Sequence, residues 1–268
     1  MNKFDVADKT VLITGASSGV GRSLAIAYAK EGARLALVGR NEKALAETCR
    51  RVKEVGGSGI CAPFIFDLAR TNKIAELTVA VKDRLGQGIE VLVNNAAYAV
   101  EGLVEDCPID EYKKNFDVNF YAPIALIQSV LPDMMKKRAG QIINVSSGLG
   151  LRALPGISAY SATKFALNAL TESLRLEVRS FGIDVICIFP GRVESCFHEN
   201  VQSYGKVKRT LPNLGKKIPD EIAKAIVRAS KFRKRSWTAN GAGKLGYHLN
   251  YWAPHWADYI IEKKFPVR

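Results

Sequence analysis

The chain has 268 residues, 47% of them hydrophobic and 24% charged, with a formal net charge of +13. That length supports one large domain with a substantial core. No apolar run approaches the ~20 residues of a membrane span, and Met1-Asn2-Lys3-Phe4-Asp5 lacks an apolar signal region, so a cytoplasmic protein not integral to a membrane is expected.

Val11-Leu12-Ile13 suits a buried parallel strand over 10–14. It runs into Thr14-Gly15-Ala16-Ser17-Ser18-Gly19-Val20-Gly21, after which Leu24, Ala25, Ile26, Tyr28 and Ala29 mark a helix over 20–31. Glycines in a strand-to-helix turn let backbone approach a pyrophosphate, and the N–H groups and dipole of the new helix favour its charge. The spacing is Gly-x-x-x-Gly-x-Gly, distinct from the common Gly-x-Gly-x-x-Gly fingerprint. The next strand, 34–39, ends in Gly39-Arg40-Asn41. Gly39 occupies the place of the acidic residue that bonds ribose hydroxyls, and Arg40 suits a 2′-phosphate, so NADP is expected over NAD.

A helix over 42–55 precedes a strand over 60–66 that ends at Asp67-Leu68, and a helix over 71–85 precedes a strand over 89–93. Asn94-Asn95-Ala96-Ala97 follows, small enough for backbone or cofactor to pass closely. A helix over 115–138 carries Asn119; a strand over 140–146 leads to Ser146 and Ser147; a helix over 158–181 carries Tyr160 and Lys164; and a strand over 183–189 ends at Pro190-Gly191. Strands alternating with helices imply an α/β fold with a parallel, doubly wound sheet.

Positions i and i+4 stack on one helix face, so Lys164 lies beside Tyr160. An ammonium beside a phenol is expected to lower the Tyr160 pKa and make it a general acid or base. The same spacing recurs at Tyr204/Lys208 and Tyr259/Lys263, but only Tyr160 has a Ser thirteen residues upstream.

Taken together, Thr14 to Gly21, Asn94 to Ala97, Asn119, Ser147, Tyr160/Lys164 and Pro190-Gly191 resemble the single-domain branch of the short-chain dehydrogenase/reductase family. The resemblance implies a Rossmann-type domain with a mostly parallel seven-stranded sheet, its last short strand near Ser236 to Ala239. It implies that Tyr160 is the proton donor or acceptor, that Ser147 holds the substrate oxygen, and that Lys164 bonds the nicotinamide ribose and tunes Tyr160. Asn119 would hold a water linking Lys164 to solvent. Gly15, Ser17, Ser18, Gly19, Val20, Gly21, Arg40, Asp67, Leu68, Asn94, Ala96, Pro190, Gly191, Val193 and Ser195 would contact NADP(H) with Tyr160 and Lys164. Tyr98, Leu149, Leu154 and Phe197 would line a largely apolar substrate pocket, with 190–217 a lid. Ala97 departs from the family's usual Gly, and Ser195 stands where Thr is common.

The expected activity is hydride transfer between NADP(H) and an apolar, lipid-like carbonyl or alcohol, by a homodimer or homotetramer. A 3-oxoacyl-thioester reductase and a silent dinucleotide-binding regulator are the alternatives. Five cysteines without Cys-x-x-Cys spacing make a disulfide framework unexpected. Three histidines show no helical ligand pair, so no metal is expected. Residues 206–268 hold fifteen Lys or Arg against four Asp or Glu, and so most of the net positive charge. The basic and aromatic extension over 240–268 could face solvent and the core, an anionic membrane surface, or an anionic substrate. No nucleic acid module is visible.

Overall fold

The computed structural model describes residues 3–56, 59–191, 193, 201–205, 217–239 and 248–265. Its centre is a seven-stranded sheet of β1 (Thr10–Thr14), β2 (Arg34–Gly39), β3 (Cys61–Ile65), β4 (Val91–Asn94), β6 (Gly140–Val145), β7 (Ile183–Phe189) and β9 (Ser236–Thr238), in the order β3-β2-β1-β4-β6-β7-β9. Each neighbouring pair is parallel. The sheet is therefore the doubly wound one expected, including its seventh strand.

Two apolar layers cover the sheet, which explains the continuous hydrophobic runs in its inner strands. One face packs Val11, Ile13, Leu35 and Leu37 against α1 (Gly19–Lys30), α2 (Glu42–Glu54) and α7 (Pro219–Lys231). The other packs Leu12, Leu92 and Ile142 against α3 (Ile74–Leu85), α5 (Ala122–Lys137) and α6 (Ser158–Glu177). Because the chain leaves β1 for β2 and β3 on one side and then crosses to β4 on the other, a crevice opens at the carboxyl ends of β1 and β4.

Four features depart from the pattern in the sequence. Helix α4 (Ile109–Phe116) begins earlier than the expected 115, and a π turn at Asp117–Tyr121 joins it to α5. Strands β5 (Val100–Glu101) and β8 (Gln202–Ser203) form a small parallel pair above the crevice. Helices α7 and α8 (Pro254–Lys264) fill stretches with no assigned element. Finally, Cys49 on α2 and Cys61 on β3 are joined as a disulfide, against the expectation of none. They are twelve residues apart, so spacing rules miss a pair that forms because α2 folds back along β2 and β3.

Candidate active site

The glycine turn is shaped by exclusion. Gly15 has φ +67°, which suits glycine, and a Cβ at Gly21 would lie 2.1 Å from the Gly15 carbonyl oxygen. Thr14 locks this turn to the next strand: its Oγ1 accepts from the N–H of Asn95 at 2.9 Å and of Ala96 at 3.0 Å. Asn95 returns the contact, its Nδ2 donating to the Thr14 carbonyl at 2.9 Å. Ser18 is the N-cap of α1, yet its side chain makes no capping bond, so the helix start presents its N–H groups and positive dipole end to the crevice. This cradle fits a dinucleotide pyrophosphate.

Around it stand the other expected cofactor residues. Arg40 is exposed just beyond β2, whose last residue, Gly39, lies 3.6 Å (as a built Cβ) from the Ser17 side chain. Asp67 caps its own loop, accepting from the Ala69 N–H at 3.1 Å, and Leu68 is buried. Asn94 donates to Asn144 Oδ1 at 2.8 Å across β4 and β6, while its own Oδ1 is buried without a partner among the described residues. Pro190 and Gly191 follow β7, and Val193 pairs with Lys217 as an isolated bridge. Ser195 and Phe197 lie outside the described residues.

Ser147, Tyr160 and Lys164 meet at the carboxyl end of β6. Ser147 caps a short turn by accepting from the Leu149 N–H at 3.1 Å, and its hydroxyl also hydrogen-bonds Tyr160. Lys164 is fully buried and donates to the Val145 carbonyl at 2.9 Å, with Nζ 5.5 Å from the Tyr160 ring centre. Burial pushes the Tyr160 phenol up to about 12, opposed only by the Ser147 bond. Burial also pulls Lys164 down to about 8. For the chain alone the net shift of Tyr160 is therefore upward, opposite to the direction expected from Lys164 alone. The ammonium points at a backbone carbonyl and the ring, and desolvation of the phenol dominates.

Asn119 sits in the π turn, a helix distortion common at functional sites. Its Oδ1 accepts from the Tyr98 N–H at 2.8 Å, and its Nδ2 donates to the Tyr98 carbonyl at 2.7 Å and to Thr163 Oγ1 at 3.1 Å. The side chain therefore ties the loop after β4 to α6, the helix that carries Tyr160 and Lys164. Leu149 and Leu154 pack with Ala97, Ala99, Ile157 and Val201 against Tyr160, forming an apolar wall beside it. Tyr98 belongs to a separate group: its hydroxyl donates to Glu111 at 2.6 Å, as the Tyr204 hydroxyl does at 3.0 Å. The rival Tyr259/Lys263 pair lies on exposed α8, and Lys208 is outside the described residues.

Asn168 had not been singled out. Its Nδ2 donates to the Gly150 carbonyl at 2.8 Å and its Oδ1 accepts from Ser146 at 2.5 Å, holding the turn that presents Ser147. The signal was available, since Tyr160, Lys164 and Asn168 recur every four residues on one helix face. Ser146 itself is buried, with its hydroxyl committed to Asn168.

A glycine cradle at the switch point of a parallel sheet, faced by Ser147, Tyr160 and Lys164, marks the class of nucleotide-dependent oxidoreductases. A family model described as short chain dehydrogenase matches residues 9–205, and the chain belongs to the short-chain dehydrogenase/reductase family. It is 34% identical over 224 residues to Ketoacyl reductase HetN of Nostoc, covering 83% of this chain and 75% of that protein. It is 32% identical to Dehydrogenase/reductase SDR family member 7B of Danio rerio over 248 residues, 89% of this chain and 79% of that one. A short-chain dehydrogenase from Streptomyces avermitilis superimposes with TM-score 0.80 at 26% identity, over 96% of this chain and 97% of the other. The family consists of oxidoreductases acting on CH–OH and C=O groups of small molecules with nicotinamide dinucleotides. No helix among the described residues is long and apolar enough to cross a membrane.

Proposed function

We propose that this protein is an NADP(H)-dependent oxidoreductase interconverting a carbonyl and an alcohol on a largely apolar, lipid-like substrate. The observation that carries the reading is the hydrogen-bonded Ser147–Tyr160 pair set against the apolar wall of Leu149, Leu154 and Val201. When bound, the nicotinamide supplies or accepts the hydride. The turn from Gly15 to Gly21 would hold its pyrophosphate, Arg40 its 2′-phosphate, Asp67 and Leu68 its adenine, and Asn94, Ala96, Pro190, Gly191, Val193 and Ser195 the remainder.

In reduction, Ser147 donates a hydrogen bond to the substrate oxygen and Tyr160 delivers its proton to that oxygen, leaving a phenolate. Lys164, when charged, stabilises this phenolate. Asn119, whose amide donates to the Tyr98 carbonyl and to Thr163, is the residue assigned to hold a relay water linking Lys164 to solvent. The bridge Val193–Lys217 joins the two ends of segment 190–217, and its middle pairs through β8 with β5, just after β4, which supports its assignment as a lid.

A pH dependence follows from Lys164, which burial pulls down to about 8. Below that pH the ammonium is present; above it the phenolate loses its partner. With the phenol pushed up to about 12, Tyr160 stays protonated throughout this window. The kcat/KM for carbonyl reduction is therefore expected to fall as pH rises through about 8, and Lys164→Met should be slow and flat. A wild-type profile level across this range would refute the role of Lys164.

Oxidation of NADPH against a panel of apolar ketones, aldehydes and 3-oxoacyl thioesters tests the whole reading; turnover of apolar carbonyls is the expected result. Preference for the thioesters would establish the second reading, which the likeness to a ketoacyl reductase and the basic segment 206–268 favour. Binding of NADPH without turnover of any compound would point to a silent regulator instead. Exposed Tyr121, Phe165 and Leu176 on and beside α5 and α6 support a homo-oligomer. A cytoplasmic setting belongs to the same reading; the buried free thiols Cys107 and Cys187 favour it and the Cys49–Cys61 disulfide opposes it.

A further inference from the structure

The most exposed large aromatics among the described residues lie together near the C-terminus. Trp252 is 78% exposed, Tyr251 70% and Trp256 66%, with Tyr259 and Ile260 also open. Helix α8 shows why. Ala257 and Phe265 turn inward and are buried, so at 100° per residue Trp256, Tyr259, Ile260 and Lys263 share the opposite face. Lys263 Nζ sits 4.6 Å over the Tyr259 ring, and Trp256 meets Tyr259 edge to face. The helical stretch before it, 248–252, adds Tyr251 and Trp252, themselves edge to face.

This segment is joined to the catalytic loop. Arg152, five residues after Ser147, donates to Asn250 at 2.5 Å and pairs with Asp258. The exposed aromatic face is thereby held beside the turn that carries Leu149 and Leu154.

We propose that this face docks on the surface of an anionic lipid bilayer. Trp and Tyr combine an apolar ring with a polar handle and settle at the head-group level, where Lys263 and Lys264 would meet anionic head groups. The net charge of +13, most of it from residues 206–268, draws the chain toward such a surface, although on α8 itself Lys263 and Lys264 are matched in number by Asp258 and Glu262. A second copy carries the same net charge of +13 and is repelled at long range, whereas an anionic surface is attracted. Docking stands independently of the reaction assigned above, although it would place the apolar pocket wall near a reservoir of lipid-like substrates.

Sedimentation of the full chain with vesicles tests it, using phosphatidylcholine alone and phosphatidylcholine containing phosphatidylserine. The protein should pellet with the anionic vesicles at low salt and be released as salt rises. The double variant Trp252→Ser/Trp256→Ser should partition about tenfold less or weaker still, whereas Val104→Ser, an exposed apolar residue elsewhere, should behave as wild type. Because these side chains are exposed, folding should be unaffected, as circular dichroism would show. Absence of pelleting at every salt concentration overturns the proposal, as does full retention by the double variant. A concentration-dependent dimer in light scattering, abolished by the same two substitutions, would assign the face to a second copy and overturn it equally.

Discussion

Tyr160→Phe is expected to lower kcat by roughly 10²–10⁴-fold, with NADPH affinity within about threefold of wild type. The substitution removes only the hydroxyl. The ring keeps its place in the cluster with Ala99 and Ile157, and Lys164 keeps its bond to the Val145 carbonyl. What disappears is the proton that the phenol would deliver and the hydrogen bond to Ser147. Such a loss corresponds to about 3–5 kcal/mol of transition-state stabilisation. Steady-state kinetics on the best carbonyl of the panel, paired with NADPH titration by fluorescence, would measure both quantities. A variant retaining more than about a tenth of wild-type kcat would remove Tyr160 from the proton-transfer role.

The second large effect is on cofactor choice. Arg40→Asp should move the ratio of NADPH to NADH affinity by roughly 10²–10³-fold toward NADH. Loss of a charge-assisted bond to the 2′-phosphate contributes about tenfold or more, and the new carboxylate adds repulsion against the phosphate while offering an acceptor to the ribose hydroxyls. Arg40→Ala should lie between, since it loses attraction without adding repulsion. Arg40 is exposed beyond β2, so neither substitution should disturb the core. Direct titration with both nucleotides would decide the matter; a ratio that stays within about threefold would reassign Arg40 to a solvated loop.

Much of the fold was legible because its signals are local. Val11-Leu12-Ile13 and Ile89 to Val93 read as buried strands since parallel strands bury both faces, and the sheet carries them at β1 and β4. The site was legible for a related reason: Tyr160 and Lys164 are fixed one turn apart by helix geometry. Other parts were hidden. Helix α7 was not among them: Ile222, Ala223, Ile226 and Val227 form a regular apolar stripe against α1 that periodicity alone carries, although no element was expected there. The two-residue strands β5 and β8 were invisible, because each exists only through pairing across about a hundred residues.

The electrostatics went further from expectation than the geometry. Adjacency alone promised that Lys164 would depress the Tyr160 phenol, yet adjacency says nothing of burial or of which acceptor the ammonium reaches. By itself, the sequence determined the glycine cradle, the parallel sheet and the grouping of Ser147, Tyr160 and Lys164 proposed as catalytic, since these depend on spacing and on residue size. Tertiary structure alone decided that Asn119 braces Tyr98 and Thr163, that Asn168 supports the Ser147 turn, and that Cys49 meets Cys61. It also decided the burial that raises the Tyr160 phenol and lowers the Lys164 ammonium, because desolvation is a property of the surrounding packing and has no counterpart in the order of residues.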